Sequence, residues 1–175
     1  MAKQVLYQDV LQGLLDKPFE SVDLKSYYTS QLEKLEKAEQ PQDLPLLFDF
    51  QKKLLRVLAL KCDMGIRLRR DYIAKDKQAL LKDCEDIRKL KQAMQSLHKA
   101  MSCLWLSNNK AIGLDRIDLC FGGVMLRLDR AAERVTDYVN GKTERLEELD
   151  EPRLMYATDE FMCSQYSANF MTVSV

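Results

Sequence analysis

At 175 residues, with 27 basic side chains balanced by 27 acidic ones, the chain is sized for one domain and carries no net charge. Apolar residues at 46% and charged residues at 31% exclude a disordered chain, and the lack of a basic excess argues against a nucleic-acid partner. Only 6 glycines and 4 prolines interrupt a leucine-rich sequence with mixed Lys, Glu, Asp and Arg blocks, which is the composition of helices.

In chain order, Tyr7, Val10, Leu11, Leu14 and Leu15 recur at helical spacing and predict a short first helix that stops before Pro18. Asp23 is placed to cap a second helix carrying Leu24, Tyr27, Tyr28, Leu32 and Leu35, ended by the loop from Gln40 to Pro45. A long helix is expected from about Leu46 to Ala74, with Leu47, Phe50, Leu54, Val57, Leu58, Met64 and Leu68 in its buried stripe. Gly65 would sit in its interior, where glycine costs about 1 kcal/mol relative to alanine and often allows another element to approach closely.

The next helix is expected from about Lys77 to Leu106. Leu80, Ile87, Met94 and Met101 are seven apart, and Leu90, Leu97 and Leu104 each follow one of them by three, which is an a/d seam. Ser107 to Gly113 breaks the pattern. A further helix runs from near Asp115 to Asn140, with Ile117, Phe121, Val124, Leu128, Ala131, Val135 and Tyr138 alternating by four and three, and Gly141 as its stop. The acidic stretch Glu144 to Glu151 is either a helical extension or a short turn. The tail from Gln165 to Val175 is rich in β-branched and aromatic residues and predicts a strand, paired either with Arg153 to Tyr156, the best internal candidate, or with a partner outside this chain. The expected fold is mainly α: one helical domain over 1–175, a bundle of long antiparallel helices with shorter N-terminal helices covering one side and a C-terminal β strand or hairpin.

No apolar run approaches the ~18 residues of a membrane span. The N-terminus lacks the apolar core of a signal peptide, so a cytoplasmic protein with no membrane partner is expected. The cysteines Cys62, Cys84, Cys103, Cys120 and Cys163 are odd in number and scattered, and they read as small buried apolar residues. With His98 the only histidine and no Cys-x-x-Cys, neither zinc nor another cofactor is expected.

Candidate chemistry is sparse. Trp105, Asn109 and Lys110 lie at the junction of the two longest helices, beside Asn108, Asp115, Arg116 and Asp118. A tryptophan among amides can stack on a sugar ring and hydrogen-bond its hydroxyls, yet Asn, Gly and Asp are also ordinary helix-end residues. Arg127, Asp129, Arg130, Glu133 and Arg134 read as an exposed ion-pair face. The run Arg67, Arg69, Arg70 is too short for nucleic acid. His98 reads as partly buried and hydrogen-bonded. Asp83, with Glu85 or Asp86, reads as solvated, with no pocket to raise a pKa. No catalytic residue is assigned.

The segment from Leu104 to Leu128, LWLSNNKAIGLDRIDLCFGGVMLRL, resembles the C-terminal helical domain of bacterial β-N-acetylhexosaminidases of glycoside hydrolase family 20. That domain carries Leu-Trp, Asn-Lys-Pro, a glycine, an Asp, Gly-Gly and Arg-Leu. Arg134 to Tyr138, Gly141-Lys142, Glu147 to Leu149 and Pro152-Arg153-Leu154 fit the same pattern, as do Lys3 to Asp9 and Gly13 to Asp16 near the start. Two positions depart from it: Ala111 stands where the family has proline, and Cys120 where arginine is common. The resemblance implies that catalysis belongs to a preceding (β/α)₈ barrel, whose Asp–Glu pair runs a reaction assisted by the substrate's own acetamido group. A barrel needs 200 residues or more, about 250 typically, so it is not expected within this chain. The resemblance thus implies an accessory domain for removal of terminal N-acetylhexosamine. Its expected partner is the barrel of the parent enzyme or a second copy of this chain, as a homodimer. It also implies Trp105, Asn109 and Lys110 as substrate-proximal candidates. The alternative is a stand-alone helical interaction module with no sugar chemistry.

Overall fold

The computed structural model describes residues 2–39 and 42–153. The expected C-terminal strand, its partner segment beyond Arg153, Cys163 and the Gln40–Pro41 part of the first loop lie outside these residues. The described residues are mainly helical and form no strand ladder: α1 (Ala2–Tyr7), α2 (Asp16–Phe19), α3 (Leu24–Lys37), α4 (Pro45–Lys61), α5 (Met64–Ile73), α6 (Lys77–Asn108), α7 (Leu114–Val139) and α8 (Glu147–Asp150).

The helix ends are set by local chemistry. The Asp23 carboxylate accepts from the Ser26 amide at 3.0 Å to start α3, and Asp76 accepts from the amides of Gln78 and Ala79 at 3.1 and 3.0 Å to start α6. Gly141, at φ +74°, ends α7. Its amide donates to the Tyr138 carbonyl and that of Lys142 to the Asp137 carbonyl, the paired bonds of a Schellman stop. The acidic stretch after it resolves as the single turn α8.

The α6 helix, about 48 Å long at 1.5 Å per residue, is the spine on which α4, α5 and α7 all pack. Leu80, Ile87, Leu90, Met94 and Leu97 are buried along it, facing Phe121, Val124, Leu128, Ala131 and Val135 of α7. The two helices run antiparallel, tied by a polar contact once per heptad of α6. Lys77 donates to the Val139 carbonyl at 3.1 Å, and the Cys84 thiol lies 3.8 Å from the Thr136 hydroxyl. Lys91 pairs with Asp129 at 2.7 Å, and His98 Nε2 sits 2.7 Å from Asp118. On the other side α3 lies antiparallel on α4, with Lys25 reaching Asp63 and Glu36 reaching Arg56.

Five expectations are corrected. The N-terminal helix does not run from Tyr7 to Leu15: α1 ends at Tyr7, because the Asp9 carboxylate accepts from the Leu11 and Gln12 amides and turns the chain. Pro18 does not follow a helix but lies in the first turn of α2, where a missing N–H costs nothing. The helix expected over Leu46–Ala74 is two helices, broken at Cys62–Asp63. There Lys61 is buried and donates to the Leu6 carbonyl, and Gly65 lets the Asp16 carboxylate come within 2.8 Å of where a Cβ would stand. The leucine seam also outruns its cover, since Met101 and Leu104 are only half-buried. Finally, Cys62 and Cys84 are buried as expected, but Cys103 is exposed and Cys120 half-buried, because both lie toward that uncovered end.

Candidate functional site

Trp105, Asn109 and Lys110 come together at the α6–α7 turn, but most of their polar chemistry builds the turn itself. The Trp105 indole N–H donates to the Lys110 carbonyl at 2.9 Å, and its ring covers Gly113, where an added Cβ would lie 3.1 Å from Cζ2. Gly113 is at φ +97°, so a side chain there would meet both the indole and a strained backbone. Side chains reinforce the end of α6: the Trp105 carbonyl accepts the Asn109 amide at 2.8 Å and its side chain at 3.2 Å, and the Ser107 and Asn108 side chains donate to the Leu104 carbonyl at 2.8 and 3.0 Å. Asp115 accepts from the Gly113 amide at 3.1 Å. Lys110 is exposed, as are the neighbouring Leu106 and Ile112, the latter to 86%. The turn is therefore a stiff, half-apolar tip with one aromatic ring.

The second constellation is a buried polar clamp that fastens the N-terminal segment to the helical body. Asp16 faces Arg153 Nε at 3.2 Å and accepts from Gln8 Nε2 at 2.8 Å. Arg153 also donates to the carbonyls of Leu11 and Gln12 at 2.6 Å and of Glu148 at 3.1 Å. Asp9 pairs with Arg127 of α7 at 2.5 Å, so Arg127 belongs to this clamp rather than to an exposed face. Burial pushes the Asp16 carboxyl above its ordinary range although Arg153 and Gln8 oppose it. Burial also lowers Lys61 to about 7, with Asp9 opposing the shift. An open cleft of about 560 Å³ adjoins the clamp, lined by Asp16, Lys17, Glu20, Arg69, Arg70 and Arg153. Arg69 and Arg153 are committed to backbone carbonyls there, and Arg70 to Asp71.

The other charged candidates are structural. Asp129, Arg130 and Arg134 pair with Lys91, Glu133 and the Glu147–Glu148 pair. His98 is half-buried, bonded to Asp118 and 5.2 Å from the Phe121 ring, as expected. Asp83 is not the solvated carboxylate expected: it is 2% exposed, with Arg67 at 3.2 Å and Asp71 hydrogen-bonded beside it. Burial, reinforced by Asp71 and Asp86, raises it to about 6 although Arg67 opposes. The sequence held one usable sign, since Asp83 lies three residues after Leu80 on the inward side of the seam. The folded state keeps the Asp83 proton that the unfolded chain releases near pH 4, so this contribution to stability is lost as pH rises from about 4 to 6. Asp83→Asn is expected to raise stability at pH 7 by about 1–3 kcal/mol and to flatten the profile over that window relative to the parent chain. Denaturant melts at pH 4 to 8 check it; parallel profiles for the two chains would remove Asp83 as the titrating group.

No group of three or more His, Cys, Asp or Glu able to hold a metal occurs among the described residues. None of the described helices is long and apolar enough to cross a membrane.

The described residues thus form a helical body with a clamped N-terminal segment and a turn built around one aromatic ring. The model of the glycoside hydrolase 20C C-terminal domain matches residues 1–167, and the chain belongs to that family. No curated protein matches it.

Proposed function

We propose that the whole chain acts as one accessory domain of a family 20 β-N-acetylhexosaminidase, docking on the catalytic barrel of the parent enzyme and contributing no acid or base of its own. The observation that carries this reading is the family match over residues 1–167, together with a described fold made of helices rather than the strand–helix alternation of a barrel. The clamp supports the docking role. In the family this N-terminal segment leaves the barrel, and fastening it by Asp9, Asp16 and Lys61 would transmit the barrel's position rigidly to the helices. Trp105, Asn109 and Lys110 are the candidates to stand near bound sugar. With the indole N–H spent on Lys110, the ring would act by stacking and the Lys110 amine by hydrogen bonding.

The test is to assay the chain alone and with a family 20 barrel. Alone it is expected to release no product from an aryl N-acetyl-β-glucosaminide. With the barrel it is expected to co-purify and raise the barrel's melting temperature, and Trp105→Ala is expected to raise KM without abolishing kcat. Turnover by the chain alone that survives a contaminant control, or a barrel indifferent to its presence, would overturn the reading.

A further inference from the structure

Asp71 of α5 and Asp83 of α6 are 7% and 2% exposed and hydrogen-bonded to each other. Both Asp71 oxygens are already taken by Arg70, from Nε at 2.7 Å and a terminal nitrogen at 3.0 Å. Arg67 reaches Asp83 Oδ1 at 3.2 Å, and the same terminal nitrogen lies 3.2 Å from Asp86. Asp83 Oδ2 is enclosed, and no nitrogen or hydroxyl of the described residues donates to it. Two ionised carboxylates offer only acceptors, so a bond between them requires a proton. Asp71, gripped by Arg70, is the acceptor, and Asp83 carries the proton.

The surroundings make that proton costly to lose. Around the pair α5 supplies Asp63, Arg67 and Arg70, and α6 supplies Asp86. Lys25 and Lys89 offset Asp63 and Asp86 from the solvent side. Of the other helices on α6, α4 spends its buried Lys61 on the Leu6 carbonyl, while α7 pairs Arg134 with Glu147 and Glu148, and Asp137 with Lys142. An ionised Asp83 would therefore repel Asp71 across the interface, with Arg67 shared between it and Asp86.

What hangs on this contact is the position of α5. It is a ten-residue helix set between the break at Cys62–Asp63 and a turn with Lys75 at φ +56°, so it can open as one unit. It touches both ends of the described chain. Its Gly65 admits the Asp16 carboxylate, Arg69 donates to the Leu149 carbonyl at 3.2 Å, and the Tyr72 hydroxyl donates to Asp150 at 2.8 Å.

We infer that the Asp71–Asp83 pair is a proton-operated latch between α5 and α6, which holds α5 closed in acid and loosens it at neutral pH. The latch is fully closed below the ordinary aspartate value of about 4 and releases as pH rises through about 6. It belongs to the helical domain itself and does not depend on barrel docking.

Amide hydrogen exchange and carboxyl NMR of the 175-residue chain test it. The Asp83 carboxyl resonance is expected to titrate near pH 6. Relative to free-peptide rates at each pH, the α5 amides are expected to exchange at least about tenfold faster than those of Phe121 to Val135 at pH 7.5. They are expected to gain about tenfold or more in protection at pH 5. Asp83→Asn keeps a donor for Asp71 and cannot ionise, so its α5 is expected to stay protected at both pH values, with circular dichroism confirming the fold. An Asp83 midpoint at or below about 4 overturns the inference. So does an α5 that exchanges in step with α7 at every pH, because only the whole domain would then be opening. A pH dependence that survives in Asp83→Asn would move the effect to Asp16 or Lys61, the other buried titratable groups nearby, and equally overturn it. Should that variant fail to fold, the titration and exchange of the parent chain still decide.

Discussion

Arg153→Ala is expected to lower stability by about 3–5 kcal/mol, the range for removing one partner of a buried ion pair. Both side chains of the Asp16–Arg153 pair are only 6% exposed. Without the guanidinium, the Asp16 carboxylate is left with Gln8 alone, and the carbonyls of Leu11 and Gln12 lose their donor. The unpaired carboxyl escapes part of the penalty by holding a proton, so the loss should grow as pH rises. Adding Asp16→Asn should recover part of the loss, because the uncompensated charge is gone while the amide still bonds Gln8. Denaturant unfolding of the single and double variants measures this. A loss below about 1 kcal/mol would mean that water reaches the pair and that the clamp is not a desolvated element.

Leu97→Ala is expected to cost about 2–5 kcal/mol, whereas Leu104→Ala, one heptad further along the same seam, should cost clearly less. Leu97 is completely buried between α6 and its neighbours, and Leu104 is half-buried near the uncovered tip. A cavity can form only where neighbours enclose the deleted methyl groups, and Leu97 has them on every side. Thermal or denaturant melts of the two variants decide the matter. Equal losses would mean that the tip is covered in solution.

The two long helices were legible in the sequence because their evidence is local and repeated. Leucines at three and four recur for several turns, and Gly141 marks the end of the second. The break at Cys62–Asp63 was not legible, because α4 and α5 share a helical period and neither glycine nor proline stands at the break. Its cause is tertiary: Lys61 turns inward to a carbonyl 55 positions earlier. Asp9 and Asp83 escaped for the same reason. The partner of Asp9 lies 118 positions away on α7, and the burial of Asp83 comes from the packing of α5 on α6. At the tip the residues were visible and their duties were not. Trp105 and Asn109 in sequence allow either ligand contact or a helix end, and in three dimensions Trp105 stabilises the turn and Asn109 caps α6, which leaves the indole face and the exposed Lys110 for any ligand. Periodicity also says which side of a helix is apolar without saying where the covering neighbour stops, which is why Met101 and Leu104 were expected in the core.

The polar contacts spaced one heptad apart between α6 and α7 solve a problem of ambiguity. Layers of leucine, valine, alanine and phenylalanine are nearly interchangeable. If α7 slid by seven residues, Leu128 would take the place of Phe121 and Val135 that of Leu128, and oil would still meet oil. The ties would not survive that slip. Opposite Lys91 would stand Thr136 in place of Asp129, and opposite His98 would stand Met125 in place of Asp118. The apolar layers therefore supply adhesion without address, and a handful of polar contacts at the rim spells out the one alignment that counts as native.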